Sequence, residues 1–208
     1  MLGFGSGAAQ AQCVAPRDLK IGMTVTETPI RTDRSLKIAD LTRRMAGQGP
    51  EGPALGLTQS RLGTKISYAM RAIPEGEKYC VALDRIDVEI TLSMTVYLAA
   101  ELKAESCIYQ EAAKHEQKHV DLERKLLPVA RARVEAALAG VAKRTATGSS
   151  IAAAGDRLQQ RAKAATDRVL SAFAAEKKRQ QLKFDTIEEY QKLSKSCSAA
   201  EIRALLGE

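Results

Sequence analysis

The chain has 208 residues with 32 Lys and Arg against 25 Asp and Glu, a formal net charge of +7, two His and no Trp. That length suits a single domain with a sizeable core, and no apolar run reaches bilayer-spanning length, which argues against a transmembrane segment. No internal repeat, nucleotide-binding glycine loop or Gly-x-Ser-x-Gly elbow is present, and the sparse aromatics give poor support to a base-stacking surface, so no nucleic-acid partner is expected.

Met1 to Gln12 is small and apolar, and Ala9-Gln10-Ala11 resembles a leader-cleavage signal. Residues 1–12 are therefore read as a leader-like or disordered N-terminus, and 13–208 as one domain, strand-rich over 20–100 and helical over 101–208. Met23 to Ile30 alternates in a Thr-rich extended pattern, and Ser35 to Met45 has helical spacing behind a Ser cap. Gly47 to Gly56 reads as an exposed loop. Ile66, Tyr68 and Met70 then alternate, and Ile86, Val88, Ile90, Leu92, Met94, Val96 and Leu98 share one face of a long half-buried strand. The expected fold class is α+β, with an antiparallel sheet packed on the helix that follows.

That helix runs from near Ser106 toward Leu127, where Pro128 predicts a kink or restart. A continuation reaches Leu138, with Gly140 as terminator. Thr145 to Ser150 is a small-residue link, and Ile151 to Lys183 an Ala-rich helix that packs back as a helical hairpin. Thr186 to Leu193 and a terminal helix near Ser198 complete the chain. Val141 to Lys183 is strongly basic, carrying ten Lys and Arg, among them Arg157, Arg161, Lys177 and Lys178, against Asp156, Asp167 and Glu176. Such a face is usually solvated, but it is also able to meet an anionic envelope polymer.

Both histidines of the chain lie in His115-Glu116-Gln117-Lys118-His119. Residues four apart share a helix face, so the two imidazoles are placed to bind one metal ion. Glu116 is then positioned to take a proton from the attacking water, the division of labour of zinc metallopeptidases. Ile108, Ala112, His115, His119, Leu122, Leu126 and Val129 recur at three-and-four spacing, which puts the histidines on the inward stripe. A catalytic zinc site needs a third protein ligand, and no third His exists. The acidic segment Phe184 to Tyr190 supplies candidates: Glu189 is favoured, with Glu188 and Asp185 behind it, while Asp121 is better suited to orienting a histidine. Tyr190 or Tyr109 is available to hold an oxyanion.

Four cysteines without a Cys-x-x-Cys pair fit two disulfides better than a zinc knuckle. Of the three connectivities, Cys80–Cys107 with Cys13–Cys197 is favoured, the alternative being four buried free thiols.

Cys80-Val81 leading into the alternating strand, then Cys107, then His115 to Asp121, resemble a bacterial family of uncharacterised, predicted secreted zinc-dependent proteases with a His-Glu-Gln-x-His core. The likeness spans roughly Met23 to Cys197. It implies a zincin-like domain of gluzincin type, export to the periplasm or beyond, and hydrolysis of a peptide or protein substrate. The further His that often closes the family's pattern is absent here. The expected function is thus a zinc metallopeptidase with Glu116 as catalytic base and His115, His119 and Glu189 on Zn²⁺. The alternative is a noncatalytic cell-envelope binding or scaffold protein built on the basic helical hairpin, with a structural or degenerate metal site.

Overall fold

The computed structural model describes residues 13–17, 19–47 and 52–206; the leader-like stretch Met1 to Gln12 lies outside them. In chain order the elements are β1 (Lys20–Glu27), β2 (Arg31–Asp33), α1 (Ile38–Met45), β3 (Gly56–Glu75), β4 (Lys78–Leu98), α2 (Cys107–Ala142), β5 (Thr145–Gly148), α3 (Ile151–Gln181), α4 (Ile187–Ser196) and α5 (Ala199–Leu206).

β4 is the hub of a five-stranded sheet, pairing with β1, β2, β3 and β5. Its alternation is the cause: Ile86, Val88, Ile90, Leu92 and Met94 are all buried, so one face of the strand is committed to the interior. The antiparallel sheet expected of a zincin-like fold is not what forms. β2 runs parallel to β4, with Arg31 opposite Thr95 and Asp33 opposite Tyr97, whereas β5 is antiparallel to it, with Tyr79 opposite Gly148. Alternation along a strand records which face is buried and carries nothing about the direction of its neighbours. β5 itself falls in the expected link, since four residues are too few to display a period.

α2 also departs from expectation, continuing through Pro128 and Gly140 as one helix. An interior proline costs ~3 kcal/mol. Beyond it Val134 and Leu138 are fully buried, each contributing about 1.5–3 kcal/mol. The apolar stripe outweighs the missing donor.

Among the described residues the chain divides into two compact units: one takes the chain up to Thr24 with Thr64–Glu89 and Arg131–Leu170, the other Val25–Gly63, Ile90–Ala130 and Ser171 onward. In the first, Cys13 and Cys80 are joined with Cα atoms 5.6 Å apart, and Arg157 and Arg161 donate to the Thr147 and Thr145 carbonyls. Part of the basic face thus serves the β5 backbone. Gly148 is required where β5 turns into α3, because a Cβ there would lie 2.9 Å from the Ala154 nitrogen.

In the second unit, Leu122, Leu126 and Ala130 of α2 cluster with Phe173 of α3, and Val120 packs on Leu92 and Met94 of β4. A further cluster joins Leu41, Leu98, Leu102, Ile108 and Ala112 with Cys197. Cys197 is bonded to Cys107 at the start of α2, Cα to Cα 5.5 Å. The Glu201 carboxylate of α5 accepts from the Cys107 backbone N–H at 3.1 Å and from Ser198, while Glu201 N–H donates back to Ser198 Oγ. This is a capping box whose carboxylate also serves a second helix.

The pairing corrects the expected Cys80–Cys107 and Cys13–Cys197. Cys80 lies near the start of a strand of 21 residues and Cys107 beyond its end. A strand advances ~3.3 Å per residue, so neighbours in cysteine order are not neighbours in space. Replacing Cys107 and Cys197 together by Ser opens a bridge spanning 90 residues, and denaturant titration should find the protein less stable by about 2–4 kcal/mol.

Candidate metal centre

The helical spacing of α2 sets the first two donors. His115 Nε2 and His119 Nε2 stand 3.2 Å apart, with His119 buried and His115 partly so. Ile108, Ala112, Leu122 and Leu126 line the same inward face. Val129, expected to continue that stripe, is 40% exposed, and Ala130 takes the inward place, as a period of 3.6 residues requires over this distance.

The third group that could serve as a donor beside them is Asp185. It lies in the turn that follows α3, its backbone N–H donating to the Gln181 carbonyl at 3.3 Å. The preceding Phe184 meets the His119 ring edge-on at 5.7 Å and packs on the Leu122, Leu126 and Phe173 cluster. Asp185 Oδ1 is thereby brought 3.0 Å from His115 Nε2 and 3.1 Å from His119 Nε2. These three atoms form a nearly equilateral triangle. Ligands at 2.0–2.1 Å from a tetrahedral zinc ion are ~3.3 Å apart, so the donor set fits one face of that tetrahedron and leaves the fourth vertex open.

Glu189, the favoured third ligand in the sequence, is engaged elsewhere. It forms ion pairs with Lys118 and Lys192, which hold its carboxyl down at about 2. Asp185, weighed behind it, occupies the position by the histidines. The reason is local: α4 begins only at Ile187, so Glu189 lies on that helix while Asp185 sits in the turn before it. Glu188 is exposed, and Asp121 is exposed and accepts from Gln117. Tyr109 carries the Arg34 guanidinium 5.2 Å over its ring; the Tyr190 side chain lies outside the described residues.

Glu116 is 4% exposed. Thr58 Oγ1 of β3 donates to its Oε2 at 2.7 Å, and Gly56 makes the room it occupies, since a Cβ there would lie 2.6 Å from Oε1 and 2.7 Å from Cγ. Burial pushes its carboxyl up, against the opposing pull of His119, Thr58 and His115. Burial likewise favours a neutral His119, but Asp185, Glu116 and Glu123 together raise it. Asp185 is held at about 2, its own burial being overcome by hydrogen bonds from His115 and His119. Carboxylates that raise an imidazole's proton affinity in this way also attract a divalent cation.

Three residues of this neighbourhood escaped the sequence reading. Glu123, 3% exposed, accepts from Ser60 Oγ at 2.5 Å, Gln181 Nε2 at 3.2 Å and Lys177 Nζ at 3.0 Å. It lies four residues beyond His119, so helical spacing could have found it. Gly56 and Thr58 come from a loop end and a strand start and carry no periodic signal. A second potential donor group, Cys107, Cys197 and Glu201, has its sulfurs committed to a disulfide.

The centre borders a cavity of about 80 Å³, lined also by Met45, Lys178 and Leu182, and a neighbouring one of about 280 Å³ that shares Gly56, His115 and Glu116. No protein-family model matches this chain, and no curated protein or solved structure is significantly similar to it. The donor set suits a metal ion on its own chemistry: two imidazole nitrogens and a carboxylate oxygen lying close together.

Asp185→Asn should weaken zinc binding, measured by competition with a chromogenic chelator, by more than the about 10–100-fold typical of outer-sphere changes. Glu189→Gln should stay at or below the about tenfold end of that range. Equal losses in the two variants would assign the third donor wrongly.

Proposed function

We propose that this chain is a zinc-dependent peptidase, with His115, His119 and Asp185 holding the metal and Glu116 acting as general base. The observation that carries the reading is the buried Glu116 carboxylate set beside three donor atoms that lie within 3.2 Å of one another. The resemblance to predicted secreted zinc proteases with a His-Glu-Gln-x-His core agrees with that function; the zincin-like sheet does not belong to the proposal. When bound, zinc supplies Lewis acidity, polarising the scissile carbonyl and lowering the pKa of a water toward neutrality.

The remaining steps belong to the chain's own groups. Thr58 holds Oε2 of Glu116, leaving Oε1 on the Gly56 side to receive the proton of the attacking water. Glu116 then returns that proton to the leaving amine. Asp185 and the two imidazoles keep fixed relative positions because α2 and the end of α3 are packed together through Phe184 and Phe173. Two disulfides fit an oxidising, extracytoplasmic compartment, and among the described residues no helix is long and apolar enough to cross a membrane.

Two histidines and one carboxylate also suit iron(II), so metal content is the first test. Protein purified without added metal should carry zinc near one per chain; stoichiometric iron would redirect the reading to redox chemistry. Glu116→Gln should retain the metal while hydrolysis of an unstructured protein substrate falls by about 10²–10⁴-fold, and His115→Ala should lose both. Gly56→Ala, which forces Glu116 to move, should keep the metal and lose about 10²-fold in rate.

A further inference from the structure

We propose that a polar groove beside the candidate centre is a subsite for an acidic side chain of the peptide, with Arg61 and Arg44 as the selecting groups; the inference rests on the peptidase reading above. The groove has a volume of about 450 Å³ and lies among β3, β4, α1 and α3 within the second unit. Among the described residues, every charged side chain that lines it is a cation: Arg44, Arg61 and Lys177. Ser60, Ser93 and Thr95 add hydroxyl groups. It shares Leu57, Thr58 and Gln181 with the cavity bordered by His115, Glu116, His119 and Asp185. A peptide lying across the centre therefore has a continuous path into it.

The three cations are not equivalent. Lys177 is committed to the buried Glu123 carboxylate and to Ser60, so its charge is balanced behind the groove wall. Arg44 is exposed and stacks over the Tyr97 ring at 5.3 Å, a contact that orients a guanidinium plane. Arg61 is exposed on β3 and pairs with no carboxylate among the described residues. The alternation of the strand explains its outward position: Thr58 and Ser60 turn to the buried carboxylates of Glu116 and Glu123, while Gln59 and Arg61 are exposed.

A single exposed arginine needs no explanation. A groove whose charged lining is all cationic does carry chemical information where it borders the candidate centre, because it receives an acidic side chain and leaves the neighbouring peptide bond at the centre. A guanidinium presents parallel N–H donors that match a carboxylate in a bidentate pair. The ligand class is thus an Asp or Glu side chain in an extended peptide, held to one side of the bond under attack.

Short fluorescein-labelled peptides that differ only in a central Asp-Glu or Ala-Ala pair test this by anisotropy against zinc-loaded Glu116→Gln protein. The acidic peptide should bind at least about tenfold more tightly at low salt, with the gap closing as salt is raised. Arg61→Glu, alone or with Arg44→Glu, should abolish the preference, and Arg61→Lys should retain part of it. Equal binding of both peptides, or a preference that survives Arg61→Glu with Arg44→Glu, overturns the proposal. Hydrolysis of the same pair by the zinc-loaded wild-type protein separates the two readings. Cleavage of both with equal kcat/KM and equal binding removes the subsite and leaves the peptidase. Arg61-dependent binding with neither peptide cut removes the peptidase and leaves an acidic-peptide site.

Discussion

The candidate centre depends on one carboxylate reaching two imidazoles across long stretches of chain. Asp185 is separated from His115 by 70 residues and from His119 by 66. Its oxygen completes a triangle that the helix alone cannot make. Two histidine nitrogens 3.2 Å apart are poor neighbours unless a proton or a cation lies between them, and the carboxylate sets the charge balance that favours either.

Most of the second unit can be understood as support for that contact. α3 runs back along α2 so that Phe173 meets Leu126, Lys177 meets Glu123, and Asp185 arrives at the histidines. Phe184 braces the turn from the side. Beyond it, the chain is tied again to the start of α2 by the Cys107–Cys197 bond and by Glu201 capping the Cys107 N–H. The segment bearing Asp185 is therefore fixed at both ends to the helix that carries His115 and His119. Glu189, Lys118 and Lys192 form a partly exposed ion network one turn away, where solvent screening leaves them little energetic weight.

Buried charge is concentrated here. Glu116, Glu123 and His119 are among the few buried ionisable groups described, and each has a partner: Thr58, the Ser60, Lys177 and Gln181 set, and Asp185. Such groups are costly to desolvate and are tolerated when hydrogen-bonded or coordinated. Glu116 and His119 border one cavity, and Glu123 lies one turn further along α2 behind them, in a core otherwise built mostly of Leu, Ile, Val and Ala. The small space left by Gly56 and the hydroxyl of Thr58 are part of the same arrangement, since they fix where the Glu116 carboxylate rests.

Local periodicity made much of this chain legible. The alternation from Ile86 onward announced β4, the three-and-four spacing around His115 announced α2, and the Ala-rich run announced α3, because each is a property of neighbouring residues. Helical spacing likewise brought His115 and His119 together beside Glu116. Tertiary structure alone decided what depends on distant residues: the parallel pairing of β2 with β4, the partners of each cysteine, and the placement of Asp185 rather than Glu189 beside the histidines. Strand direction leaves no trace in alternation, and four cysteines are consistent with any of three pairings. Which acidic side chain lies beside the histidines follows from where α3 ends and α4 begins, since Asp185 sits in the turn between them. A sequence specifies short-range geometry through dihedral periods, but which far side chain closes a site follows only once the helices have packed.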